Sequence, residues 1–314
     1  MTASLKICSL LPSATEIVFA LGRGADLVAV THECDFPPEA ARLPVITRSA
    51  LEHRTHGSRE IHNHISRAIH AGSSIYVLDQ DLLERLNPDL ILTQELCDVC
   101  AVSYEVVERA VHRLEGQRVI LSLEPTSLGG ILETVEQVGE ATGTQARAGA
   151  VARELQQQID QIAVRAQTAS GGPRVFAMEW LDPPFTAGHW VPEMIRLAGG
   201  RDELAQEGCP SSQIDWSRIA EHDPEIIILM PCGFTLDRTS EEFARVTLPD
   251  EWRGLSAVRS RQVYAVNGSA YFNRPGPRIV EGLEILAEIM HPELFPRTMA
   301  RGAWQRLEVD AVRG

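Results

Sequence analysis

Three apolar runs occur twice in this chain, in the same order, on either side of one long helical pattern. RLNPDLILTQ at 85–94 is matched by EHDPEIIILMP at 221–231, and QRVILSL at 117–123 by RQVYAVN at 261–267. PSATEIVFALG near the start matches VPEMIRLAGG at 191–200 in pattern. Between the two sets, Val151, Leu155, Ile159, Ile162 and Ala166 step by three and four, with no Gly or Pro after Gly149. That spacing predicts a helix over 145–168, on the order of 30 Å long at 1.5 Å per residue. Short apolar runs alternating with helical patterns predict parallel sheets covered by helices. The expected fold is α/β: two parallel-sheet α/β lobes joined by one long interlobe helix. The expected boundaries are 1–144, 145–170 and 171–314. Parallel sheets bind ligands at the carboxyl ends of their strands, so a ligand cleft is expected between the lobes.

Local signals in the first half are consistent with this. A strand is expected over 6–11, then a helix to Gly22, with Ser13 and Glu16 as a reciprocal capping box. Strands are expected over 27–31, 90–93 and 118–123, and a helix over 81–86. Val102, Val106, Val107, Ala110, Val111 and Leu114 share one face of a further helix, ended by Gly116.

The chain has 314 residues, 44% apolar and 23% charged, with a net charge of −14. A chain of this length buries about three quarters of its unfolded surface and needs no cross-links. The negative charge excludes a nucleic-acid groove or an anionic membrane face, both of which need basic patches. The apolar N-terminal stretch is cut by Pro12, Ser13, Thr15 and Glu16, unlike a signal peptide. No run reaches the roughly 18 apolar residues of a membrane span. As written the chain is expected in the cytoplasm, or in the periplasm if a leader was removed. A reducing compartment would keep its six cysteines as free thiols or ligands. G-x-G-x-x-G, P-loop, G-x-S-x-G and H-E-x-x-H motifs do not occur, which removes the commonest enzyme readings.

LLPSATEIVFALG, ECDFPPEA, LNPDLIL, the long helix, DPPFTAG at 182–188 and AYFNRPGPRI at 270–279 together resemble one family. It is the class III, helical-backbone substrate-binding proteins, which deliver iron complexes, haem and cobalamin to ABC importers; the cobalamin-binding branch matches best. The resemblance implies a non-enzymatic monomer that holds a corrinoid, cobalamin or cobinamide, in the interlobe cleft. It implies that Phe185, Tyr271 and Phe272 are cleft aromatics with Arg274 a basic residue beside them. It places the loop of His32, Glu33 and Cys34 along the cleft. Flat side chains suit a large, mostly apolar ring fringed by amides, which needs a few polar groups for orientation. The resemblance also implies docking onto an ABC permease through one carboxylate per lobe, seven residues before a proline. Counting back from Pro88 reaches Asp81; counting back from Pro224 reaches Ser217, which carries no charge.

Further candidates come from the residues themselves. Gln94 ends the run 90–93, and His189 and Trp190 follow FTAG; a neutral imidazole at His189 would suit a corrinoid cobalt. Cys97 and Cys100 are spaced C-x-x-C, and with His32 and Cys34 they could complete a four-ligand zinc set. A redox pair is disfavoured because Glu95 and Asp98 oppose thiolate formation. The alternative, packed reduced thiols lining the wall, remains open beside the metal reading. Five histidines, His53, His56, His62, His64 and His70, crowd one polar segment, expected to be a solvated helix face or a loop. The same fold could hold an iron chelate, haem or a metal ion instead of a corrinoid. A zinc- or thiol-dependent enzyme built on the Cys/His cluster is the alternative from another class.

Overall fold

The computed structural model describes residues 5–49, 56–70, 76–94, 107–108, 110, 118–169 and 171–309. Contacts divide the chain into two units. The first holds Met1–His56, Asn63–Pro125 and Gly129–Glu154; the second holds Gly57–His62, Thr126–Leu128 and Leu155–Gly314.

The first unit runs β1 (Ile7–Ser9), α1 (Pro12–Ala20), β2 (Leu27–Ala29), β3 (Thr47–Ser49), α2 (Ser58–His70), β4 (Tyr76–Leu78), α3 (Gln80–Leu86), β5 (Leu90–Thr93), β6 (Val119–Ser122) and α4 (Leu128–Ala141). The first turn of α2 and the first residue of α4 group with the second unit. A parallel sheet has the order β2-β1-β5-β6. All four residues of β5 are buried, as expected for a parallel strand covered on both faces. β3 and β4 form a separate antiparallel pair that the sequence pattern did not show.

α5 (Gln145–Ala166) belongs to both units, which change over between Glu154 and Leu155. Its buried stripe is Val151, Leu155, Ile159, Ala163 and Ala166. Ala163 takes the place expected for Ile162, which is partly exposed.

The second unit continues with β7 (Val175–Trp180), β8 (Phe185–Thr186), α6 (Val191–Leu197), α7 (Trp216–His222), β9 (Ile226–Leu229), α8 (Leu236–Arg245), α9 (Asp250–Gly254), α10 (Ser256–Arg259), β10 (Val263–Val266), α11 (Gly268–Tyr271), α12 (Ile279–Met290) and β11 (Trp304–Arg306). Its sheet order is β11-β10-β9-β7-β8, parallel in the middle and antiparallel at both edges. Phe176, Met178, Ile227, Leu229, Val263 and Ala265 from the central strands build the core.

The internal repeat is physical. The triad β1-β5-β6 corresponds to β7-β9-β10, in the same order and sense. α3 ends at Asn87 and α7 at Asp223, both left-handed with φ of 45° and 46°, and each precedes a proline. The next strand then starts the same way: Lys6 O accepts from Asp89 and Leu90, and Arg174 O from Glu225 and Ile226. α1 and α6 both carry proline in their first turn, which lacks a donor that would go unused there.

Two expectations change. The strands over 6–11, 27–31 and 118–123 are shorter, at Ile7–Ser9, Leu27–Ala29 and Val119–Ser122. The capping box is absent: α1 begins at Pro12, so Leu11 is the cap and Ser13 lies inside the first turn. The helix over Val102 to Leu114 falls mostly outside the described residues, although Val107 and Ala110 are buried in the first core. No described helix is long and apolar enough to cross a membrane.

Candidate functional site

In the first unit the candidate residues leave the carboxyl edge of the sheet. His32, Glu33 and Cys34 follow β2, and Gln94, 8% exposed, follows β5; β1 lies between these strands. Hydrogen bonds hold Cys34. Its Sγ lies 3.1 Å from Thr31 Oγ1, which also accepts the Glu33 N–H, and 3.1 Å from Thr15 Oγ1. Thr15 donates to Ser9 Oγ at 2.8 Å, and Ser9 to Leu11 O. Neighbouring Cys8 is pushed up to about 12 by burial and by Cys34.

His32 is held by Thr47, whose Oγ1 lies 2.8 Å from Nδ1 and accepts the His32 backbone N–H at 3.2 Å. Burial lowers its pKa, favouring the neutral ring. The ring packs on Tyr76, whose hydroxyl reaches Glu33. Cys34 and His32 thus have different hydroxyl partners. Among the described residues, no group of three or more His, Cys, Asp or Glu could hold a metal ion. Cys97 and Cys100, with Glu95 and Asp98, lie outside the described residues.

In the second unit the candidates cluster at the carboxyl edge of β7 and β10. The chain after β7 turns at Asp182-Pro183-Pro184 into β8, which carries Phe185, partly exposed. Gly188 is required there: a Cβ would overlap the Ser211 backbone nitrogen. Its N–H donates to Glu179 Oε2 at 3.0 Å. Burial pushes that carboxyl up to about 7 even against this hydrogen bond. His189 follows with φ of 53°, its N–H on Cys209 O, its ring beside Trp190 and its pKa lowered by burial.

Trp190 and Phe272 correct the expected contact set. Phe272 is 0% exposed and Trp190 6%, and Trp190 Nε1 donates to Phe272 O at 2.9 Å. They join the two loops from inside and leave little ring surface for a ligand. Tyr271 is the partly exposed ring of its loop, with the Arg278 guanidinium 5.7 Å from its centre. Arg274 is 8% exposed and donates to Ser269 Oγ at 3.3 Å.

Sequence reasoning missed the residues that frame this edge. Trp180 Nε1 donates to Ser58 O, its ring meets Phe234 edge-on, and Arg238 lies over Phe234. Ser58 N–H donates to Glu242 at 2.6 Å, and Arg59 pairs with Asp182 through two N–H groups. EW at 179–180, directly before the DPPFTAG run, was the available signal. A polar cavity of about 380 Å³ opens beside this turn, with Arg59, Asp182, Glu242 and Arg245 in its wall. Its charges already pair with one another or with neighbours, and it lacks the apolar lining of an ordinary small-molecule pocket.

The family model described as periplasmic binding protein matches residues 7–270. The uncharacterized ABC transporter substrate-binding lipoprotein YvrC of Bacillus subtilis is 26% identical, covering 92% of this chain and 81% of its own. The vitamin B12-binding protein of Vibrio cholerae is 24% identical, covering 89% and 86%. The structure of the periplasmic heme-binding protein RhuT from Roseiflexus sp. RS-1 in apo form is similar with a TM-score of 0.69. At 20% identity it covers 93% of this chain and 100% of that one, a likeness of fold. With the matched family model spanning most of both units, this chain belongs to the periplasmic binding protein family, whose members bind ligands and are not enzymes.

Proposed function

We propose that this protein binds a corrinoid through the carboxyl-edge loops described above. The observation that carries the reading is the second-unit edge. There Phe185 and Tyr271 are partly exposed, burial lowers the pKa of His189, and Arg274 is buried and donates to Ser269. That edge suits a large flat ligand with an amide fringe better than an anionic chelate, which would need free cations. A relative named for vitamin B12 supports the same ligand. His189 is then the candidate lower ligand to cobalt, and His32, Glu33 and Gln94 are the first-unit polar contacts. The likeness to a heme-binding protein favours haem as the second reading, for which neutral imidazoles are also suitable ligands.

Delivery to an ABC permease, and with it a periplasmic location, is proposed on the relative named as a transporter lipoprotein. Asp81 stands exposed in the first turn of α3, whereas the matching position of α7 is Ser217. Docking would rest on the first unit's carboxylate alone.

The test mixes purified protein with hydroxocobalamin, and separately with haemin, then takes an absorbance scan after gel filtration. Co-elution of the corrinoid in stoichiometric amount is expected. Retention of haemin alone would move the function to the second reading, and retention of neither would sink both.

A further inference from the structure

Of the five histidines between positions 53 and 70, one is built into the second unit. His62 lies with Gly57–His62 in that unit, and its ring centre is 5.8 Å from that of Phe185, tilted by 58°. Three interactions fix the turn that carries it. Arg59 forks onto Asp182, three residues before Phe185. Trp180, at the end of β7, donates to Ser58 O at 3.2 Å. The Glu242 carboxylate accepts Ser58 N–H at 2.6 Å, placing a negative charge at the positive end of α2, and Arg238 neutralises its other oxygen at 2.9 Å. Ser58 is 1% exposed, Ile61 2% and Glu242 3%, so the turn is seated on the unit, while His62 itself stays partly exposed.

We propose that His62 is a further ligand contact, and that Arg59, Asp182 and Glu242 are positioning residues that hold it beside Phe185. This rests on the reading that Phe185 faces the ligand. An imidazole tilted against a ligand-facing phenyl ring adds a second aromatic contact beside it. It also adds what no phenyl can supply, a ring nitrogen able to hydrogen-bond an amide of the ligand's fringe. A flat ligand bordered by amides is therefore recognised on its face by Phe185 and on its rim by His62. Charge pairing fixes the element, so the imidazole is presented without a loop having to order on binding, a saving in entropy that favours affinity.

The test is calorimetry with hydroxocobalamin on the full chain. His62→Ala is expected to weaken binding about tenfold, the scale of a lost hydrogen bond and ring contact together. His62→Phe restores the ring and not the nitrogen, and is expected to recover only part of that loss. Arg59→Ala should weaken binding in the same direction and Arg59→Lys should partly restore it, with the melting temperature little changed because Arg59 is exposed. Wild-type affinity in His62→Ala, while Phe185→Ala is impaired, would overturn the role of His62 and leave the ligand reading standing. Wild-type affinity in both variants would remove the whole edge from the site. Absence of binding by the wild-type protein would overturn the ligand reading and this inference together.

Discussion

The hydroxyls of Thr15 and Thr31 both reach the sulfur of Cys34, which is 5% exposed. Cys8 beside it is fully buried, with its pKa pushed up to about 12. Buried in this way, both cysteines should resist a thiol reagent at about pH 8 in the folded protein and react once denatured. Rapid labelling of Cys34 in the native state, located by mass spectrometry, would contradict its burial. Glu179 behaves oppositely to a salt-bridged acid. Its carboxyl is raised from 4.5 to about 7, so folding favours the protonated form. The stability from this group is full below about pH 4.5 and is lost as pH rises through about 7. Asp202, raised by burial from 3.8 to about 6, acts in the same sense. Thermal stability should therefore decline between about pH 4.5 and 7, and Glu179→Gln should flatten the decline. An equally steep decline in that variant would show that Glu179 is not its source. Glu242 pulls the other way despite its burial, held low by Ser58 and Arg238, but only at more acid pH.

At the scale of elements, the loop from β7 to α6 is the most tightly specified. Gly188 touches the backbone of Pro210 and Ser211 so closely that only hydrogen fits at its Cα. Gly188→Ala is expected to destabilise the fold by about 2 kcal/mol or more, since rigid backbone rather than a movable side chain must yield. It should also shift His189, whose N–H is fixed on Cys209 O, and so lower ligand affinity beyond the stability effect. Chemical denaturation and calorimetry on the same sample separate the two, and unchanged values in both would refute the account. This loop was legible only in part. DPPFTAG marked the stretch, and Phe185 and His189 were named from it, but which rings face outward was not. Trp190 and Phe272 have the same aromatic character as Phe185 and Tyr271, and only the Trp190 indole bond to the Phe272 carbonyl shows that they face inward.

For the whole molecule, a ligand that binds only the folded state must raise its stability. At a hundredfold excess over Kd the gain is about 2.7 kcal/mol. Hydroxocobalamin is expected to raise the melting temperature in a concentration-dependent way, and cobinamide to do so as well if the corrin face is what the protein grips. A melting temperature independent of corrinoid concentration would exclude binding to the native state. The net charge of −14 gives no electrostatic attraction to an anionic chelate, and raised salt should change corrinoid affinity little.

What the sequence determined by itself was the periodic part of this protein. The doubled NPD-type turns, the buried run of β5 and the 22 residues of α5 follow from local rules of apolar spacing, proline and left-handed caps. These act over a few residues, so two α/β units could be read without coordinates. The tertiary structure decided which way side chains turn and which distant segments meet. It set Cys34 into a hydroxyl chain whose members come from three separate segments, turned Phe272 and Arg274 inward, and seated the α2 turn on Trp180, Asp182 and Glu242. Ser58 and Glu242 are 184 residues apart in the chain. No pattern within a helix or strand encodes such a pairing; it exists only because packing brings the two segments together and a buried amide and carboxylate must then satisfy each other.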